Sequence, residues 1–254
     1  MKRIIALATA CAALCLGPAA MAARLKIVTT TSDLAAIAQA VAGDKAEVHA
    51  ICTGKEDPHM LQAKPSVIRL ARDADLWIRI GLDLEIGWEP PILDGSRNTR
   101  IRVGSKGHLD ASESALVLDV PQSTITRAMG DVHPMGNPHY WLDPLNGRRI
   151  AGAIAERLAL LRPEDTDVFR ANAAAFQKAL DERMFGAELL KTVGADTLWA
   201  KTTDGTLAAF LEEPANKGKA GGWVAAMLPL RGQKMVTYHR SWVYFAHRFG
   251  LEVV

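Results

Sequence analysis

The sequence predicts an α/β fold with mainly parallel sheets, and three observations carry that prediction. Short apolar runs at residues 25–30, 47–52 and 76–81 alternate with stretches of helical periodicity, the pattern of βαβ units. The alternation resumes near the C-terminus, where runs at 234–238 and 251–254 flank Trp242, Phe245 and Phe249. Between the two regions Phe169, Ala173, Phe176, Leu180 and Met184 form a stripe at steps of four, three, four and four, unbroken until Gly186. A helix of that length spans most of a small domain. It reads either as a rigid spacer between two lobes or as an ordinary surface helix of one.

Residues 1–22 read as a secretory leader and stand outside the fold. Lys2 and Arg3 form a basic start, an apolar stretch follows, and Ala20-Met21-Ala22 supplies small residues for cleavage. Lys2 and Arg3 are two of the 30 basic residues, so the remainder carries 28 basic and 28 acidic residues. Near-neutrality lends no electrostatic support to a nucleic-acid or anionic-membrane partner. Cys52 is the one cysteine beyond the leader, so no disulfide forms within the mature chain. Roughly 230 residues suffice for one large core or two smaller ones.

The elements follow in order. After the strand at 25–30, Ser32 can cap a helix carrying Leu34, Ile37, Ala38 and Val41, with Gly43 as its stop. The strand at 47–52 leads into the polar loop Thr53-Gly54-Lys55-Glu56-Asp57-Pro58-His59. Pro65-Ser66 opens a helix, and the strand at 76–81 ends on glycine. Leu84, Ile86 and Trp88 suggest a short helix stopped by Pro90-Pro91, with further strands at 100–103 and 115–120. Residues 121–138 form a long loop without periodicity, a class often functional. Asp143-Pro144 then caps a helix carrying Ile150, Ile154, Leu158 and Leu161. Helices are also expected at 207–211 and 223–228. The chain ends inside its last strand, from which we expect an incomplete C-terminal lobe.

Three histidines share one topological position. His59 and His239 follow strands, and His139 follows the last strand expected in the first region. Ligands of open α/β sheets collect beyond the carboxyl ends of strands, and three imidazoles there would suit zinc. Spacings of 80 and 100 residues form no local metal motif. Taken singly, each reads as an exposed loop residue, His139 as one packed on Trp141. Cys52 reads as a buried structural thiol, His49 as a residue packed or solvent-facing on its sheet, His108 as a turn residue, and His247 as a helix-end cation.

Gly54-Lys55-Glu56-Asp57-Pro58-His59, with Pro65-Ser66 and Ala74-Asp75-Leu76, resembles the first ligand region of the zinc/manganese solute-binding proteins of ABC transporters. Asn137-Pro138-His139-Tyr140-Trp141-Leu142-Asp143-Pro144 is similar to their second ligand motif. Tyr238-His239-Arg240-Ser241-Trp242-Val243-Tyr244-Phe245, with Phe249-Gly250-Leu251, resembles the third. The resemblance implies a lobe at 23–161, a linking helix at 162–192 and a partial second lobe at 193–254, with the ion between the lobes. It implies His59, His139 and His239 as ligands, and His239 in the third position favours zinc over manganese. It also implies a periplasmic monomer that delivers the ion to an inner-membrane ABC permease, with a zinc chaperone as a further candidate partner.

Two departures qualify the resemblance. The family draws a fourth ligand, usually a carboxylate, from beyond the region matching Val254, so no residue here takes that role by matching. The loop before His139 holds a single histidine, His133, and with Asp131 it is either an accessory capture site or a solvated loop segment. The competing functions are a secreted zinc hydrolase and a metal-binding adhesin. The hydrolase lacks both a His-Glu-x-x-His helix and a Gly-x-Ser-x-Gly elbow, so we expect no enzyme activity.

Overall fold

A computed structural model describes residues 23–122, 133–237 and 239–254. The expected leader at 1–22 and Asp131 lie outside the described residues. Strands β1 (Leu25–Thr31), β2 (Ala46–Cys52), β3 (Leu76–Arg79) and β4 (His108–Asp110) form a parallel sheet in the order β2-β1-β3-β4. In register, Ile27 lies between Val48 and Leu76. Side chains alternate between two apolar layers. Ile27, Leu76 and Ile78 enter one core, whereas Val28 and Trp77 enter the other, as a period of two requires when both faces are covered.

Helix α1 (Ser32–Ala42) is capped by Thr31, one residue before the expected Ser32, and ends at Gly43, whose φ of 60° suits glycine. Helix α2 (Pro65–Asp73) covers the opposite face. Helix α3 (Glu89–Ser96) corrects the sequence reading: Pro90-Pro91 open it rather than stop an earlier helix, because proline's missing N–H costs nothing in a first turn. The strands expected at 100–103 and 115–120 are also corrected. Thr99–Ile101 is a single 3₁₀ turn, and pairing with β3 passes to residues 108–110. The 115–120 stretch is held instead by side chains, with Leu116 N–H on Asn146 Oδ1 (2.7 Å) and Leu118 N–H on the Tyr244 hydroxyl (2.9 Å).

His108 is a strand residue, not a turn residue. It lies buried beside Glu89 (3.5 Å), which also accepts from Trp77 Nε1 and Arg79 Nη1, each at 2.7 Å. Burial would raise the Glu89 pKa, but the His108 contact and the Arg79 charge outweigh it and hold the carboxyl low. Gly107 precedes β4 where an added Cβ would sit 2.4 Å from the Arg100 carbonyl oxygen and 2.5 Å from that of Asp75. Both obstacles are backbone, so Gly107→Ala should cost about 2–3 kcal/mol, read as a lower urea midpoint. An unchanged midpoint would show that the edge strand yields freely.

Helix α4 (Pro144–Leu161) packs Ile150, Ile154 and Leu158 on the sheet. Helix α5 (Thr166–Phe185) runs alongside it, tied by Gln177 Nε2 to the Arg148 carbonyl (2.9 Å) and by Asn172 Nδ2 to that of Val41 (3.0 Å). Its stripe divides: Phe169 and Ala173 enter the sheet core, whereas Met184 and Phe185 enter a separate core. Helices α6 (Ala187–Val193), α7 (Ala195–Thr203), α8 (Leu207–Glu212) and α9 (Gly222–Met227) build that second core. Strand β5 (Lys234–Met235), helix α10 (Val243–Phe249) and strand β6 (Glu252–Val253) close the chain, with β5 and β6 parallel. Among the described residues, no helix is long and apolar enough to cross a membrane.

Candidate metal centre

The three histidines come together. His59 lies in the loop after β2, His139 in the segment before α4, and His239 before the turn leading to α10. One ligand atom from each lies within 4.8 Å of the other two. Ring centroids are 5.1 Å apart for His139 and His239, 5.3 Å for His59 and His139, and 5.8 Å for His59 and His239. Tetrahedral zinc with Zn–N bonds of about 2.0–2.1 Å places its nitrogens roughly 3.4 Å apart, so small ring movements suffice to close on an ion.

Local sequence sets two of these rings in the same way. Asp57-Pro58-His59 and Asn137-Pro138-His139 are both Asx-Pro-His triplets. In each, the Asx Oδ1 accepts the histidine backbone N–H, at 2.9 Å for Asp57 and 3.0 Å for Asn137. The same oxygen meets the ring Nδ1, at 2.9 Å and 2.8 Å. Neither an amide nor a carboxylate oxygen has a hydrogen to give, so each ring donates from Nδ1, and the neutral imidazole then carries its lone pair at Nε2. His59 Nε2 is buried with no hydrogen-bond partner among the described residues. That donor set fits a metal cation.

Burial and the neighbouring His59, His239 and His133 lower the His139 pKa to about 3, so its ring is neutral well into the acid range. His139 also packs on Trp141, with centroids 5.1 Å apart, so the simple packing expectation and the convergence both hold. Next along the chain, the Tyr140 hydroxyl donates to the Ile80 carbonyl at 2.6 Å. This anchors the segment to the end of β3.

Beneath that anchor lies Glu85, whose oxygens accept the Ile80 and Gly81 N–H groups at 2.8 and 3.0 Å. Burial, with a smaller push from Glu89, raises its pKa to about 7 against the bonds from Thr30 and the backbone. The folded state therefore holds a proton that the unfolded chain releases near pH 4.5. Stability should fall by about 3 kcal/mol as pH rises from there to about 7. Glu85→Gln should remove that slope from the urea midpoint; the slope persisting in the variant would exclude Glu85 as its source.

The remaining sequence candidates separate. His133 lies beside His59, with centroids 5.3 Å apart, though not in the three-ligand group. Cys52 donates to the Glu56 carbonyl at 3.2 Å, and burial pushes its thiol pKa up, as expected of a structural cysteine. His49 meets Glu47 at 2.9 Å on the surface, and His247 is exposed on α10. Sequence reading missed Asp57, Asn137, Tyr244 and the buried Asp143–Arg248 pair as supports of the site. The repeated Asx-Pro-His triplet was a signal for the first two; the last two need the fold.

A family model described as zinc-uptake complex component A, periplasmic (ZnuA), matches residues 27–184. The chain is 31% identical over 159 residues to the manganese ABC transporter substrate-binding lipoprotein PsaA of Streptococcus pneumoniae, a match covering 63% of this chain and 49% of PsaA. It is 27% identical over an alignment of 273 positions to the high-affinity zinc uptake system protein ZnuA of Paracoccus denitrificans, covering 93% of this chain and 68% of that protein. A ZnuA crystal structure superposes with a TM-score of 0.60 at 23% identity, over 91% of this chain and 70% of that one, which shows a shared fold. The chain spans about half the length of the first curated relatives it matches. The matched residues hold both Asx-Pro-His loops and nearly all of the four-stranded sheet and of α5, and on that match the chain belongs to the ZnuA family.

Proposed function

We propose that this chain binds zinc as cargo through His59, His139 and His239, in the periplasm, and delivers it to an ABC permease of the inner membrane. The observation that supports this is the convergence of three imidazoles from three separate loops, with ligand atoms within 4.8 Å. Neutral nitrogen donors suit zinc; manganese prefers carboxylate and water oxygens. The lobes would be residues 23–161 and 193–254, with 162–192 between them and the ion at their junction. The protein acts as a monomer that carries the ion rather than as an enzyme that uses it.

His133 extends the reading. A fourth imidazole beside His59 can hold the ion briefly on its way in, with Asp131 as accessory carboxylate. His133→Ala should then slow zinc loading while leaving the final affinity within a few-fold; an unchanged loading rate would remove that role. The central test is direct. Metal-stripped protein is titrated with zinc and with manganese in competition with chelators. One zinc per chain is expected, with manganese at least about a hundredfold weaker. Equal affinities, or no binding of either, would overturn the zinc reading.

A further inference from the structure

His139 and His239 are 100 residues apart in the chain, and one carboxamide touches both segments. Asn137 Oδ1 accepts from the backbone and ring of His139 at 3.0 and 2.8 Å. Its Nδ2 donates at 2.8 Å to the carbonyl of Arg240, the residue after His239. The amide has one orientation, because a backbone N–H only donates and a carbonyl only accepts. Asn137 is buried, so water replaces neither bond readily.

The other Asx-Pro-His triplet isolates what the amide adds. Asp57 accepts the same two bonds from His59, both at 2.9 Å, yet a carboxylate has no N–H to give. Orienting the histidine is open to either residue; holding a carbonyl as well requires the amide. We propose that Asn137 is a positioning residue that fixes His139 and His239 relative to one another before the metal arrives. The two form a preassembled half-site, which the His59 loop completes.

Two further contacts tie the same segments. The Tyr244 hydroxyl donates to the Asn137 carbonyl at 2.6 Å while accepting the Leu118 N–H. Arg248, on the same helix, grips Asp143 with Nε at 2.7 Å and Nη2 at 2.6 Å. The His59 loop is held differently. Thr53 N–H bonds Glu56 at 2.9 Å and Met60 N–H the Asp57 carbonyl at 3.1 Å, both within the loop, and Trp88 Nε1 reaches the Pro58 carbonyl from outside at 2.8 Å.

The proposal rests on the metal reading above, and its test keeps the two apart. Asn137→Ala removes both functions. Asn137→Asp keeps the acceptor for His139 and loses the donor to Arg240. It is made in an Asp119→Asn background, since Asp119 Oδ2 lies 3.4 Å from Asn137 Nδ2 and a second carboxylate there would be repelled; Asp119 also pairs with Arg240 Nη2 at 2.8 Å, so Asp119→Asn alone is its reference. Amide hydrogen exchange across 239–243 is measured on metal-free protein, with urea midpoints as the control for global unfolding. Exchange there should quicken about tenfold or more in both variants relative to their backgrounds. Zinc affinity should fall about 10- to 100-fold in Asn137→Ala and less in Asn137→Asp. Unchanged exchange with weakened zinc binding would mean that Asn137 orients His139 alone, which overturns the bridge. Unchanged zinc affinity in Asn137→Ala would overturn the positioning role. A parent protein that takes up no zinc would overturn the metal reading itself, while exchange would still report whether the bridge exists.

Discussion

His139→Ala should lower zinc affinity by about a thousandfold or more, which corresponds to about 4 kcal/mol. Structural zinc sites with four ligands are worth about 10–16 kcal/mol, so one imidazole of a small set carries several. The zinc-dependent rise in melting temperature should vanish with it, because a ligand stabilises only the state that binds it. A second effect of the same change has the opposite sense. The His139 pKa falls to about 3 on folding, so the unfolded chain takes up a proton below about pH 6.5 that the folded metal-free protein refuses. Stability should therefore fall by about 4 kcal/mol as pH drops from 6.5 toward 3, and His139→Ala should flatten that fall. Denaturant midpoints of metal-free protein across this window check it. An equally steep fall in the variant would place the acid sensitivity elsewhere, and zinc affinity within tenfold of the parent would remove His139 from the ligand set.

Asp143→Ala should cost about 3–5 kcal/mol and lower the melting temperature by about 10 °C or more. Asp143 and Arg248 form a bidentate pair with side chains 3% and 2% exposed. Removing the carboxylate strands a guanidinium in the interior, where it faces the Trp199 ring at 5.9 Å and its Nη1 already lacks a partner among the described residues. The same carboxylate caps α4 through the Leu145 N–H at 2.9 Å, worth about 1 kcal/mol more. Against a total stability of about 5–15 kcal/mol, that loss is large. Replacing both partners, as Asp143→Leu with Arg248→Met, should restore most of it, since no buried charge is left alone. A double variant as unstable as the single one would show that the cap and packing, not the ion pair, dominate.

Legibility differed by element for physical reasons. The strands β1 to β3 and the helices α1, α4 and α5 follow from apolar period and local caps, which act over a few residues. Pro90-Pro91 misled because proline stops a helix from within but starts one from its first turn. The 100–103 and 115–120 runs have strand composition but no free partner; β3 pairs with residues 108–110, and side chains of Asn146 and Tyr244 satisfy the later segment.

What the sequence determined by itself is the set of local geometries: the starts of α2 and α4, which faces are apolar, and how each Asx-Pro-His triplet orients its histidine with Nδ1 as the donor. Those depend on neighbours two to four residues away. Only the tertiary structure decided that the three imidazoles meet, and that α10 serves both cores, Tyr244 in one and Phe249 in the other. It alone joined Asn137 to Arg240 and Asp143 to Arg248. These are contacts between segments about 100 residues apart, and no local periodicity encodes them. They exist because α10 and the turn before it pack against the segment that leads into α4, and because a buried carbonyl or guanidinium must find its partner wherever the packed chain provides one.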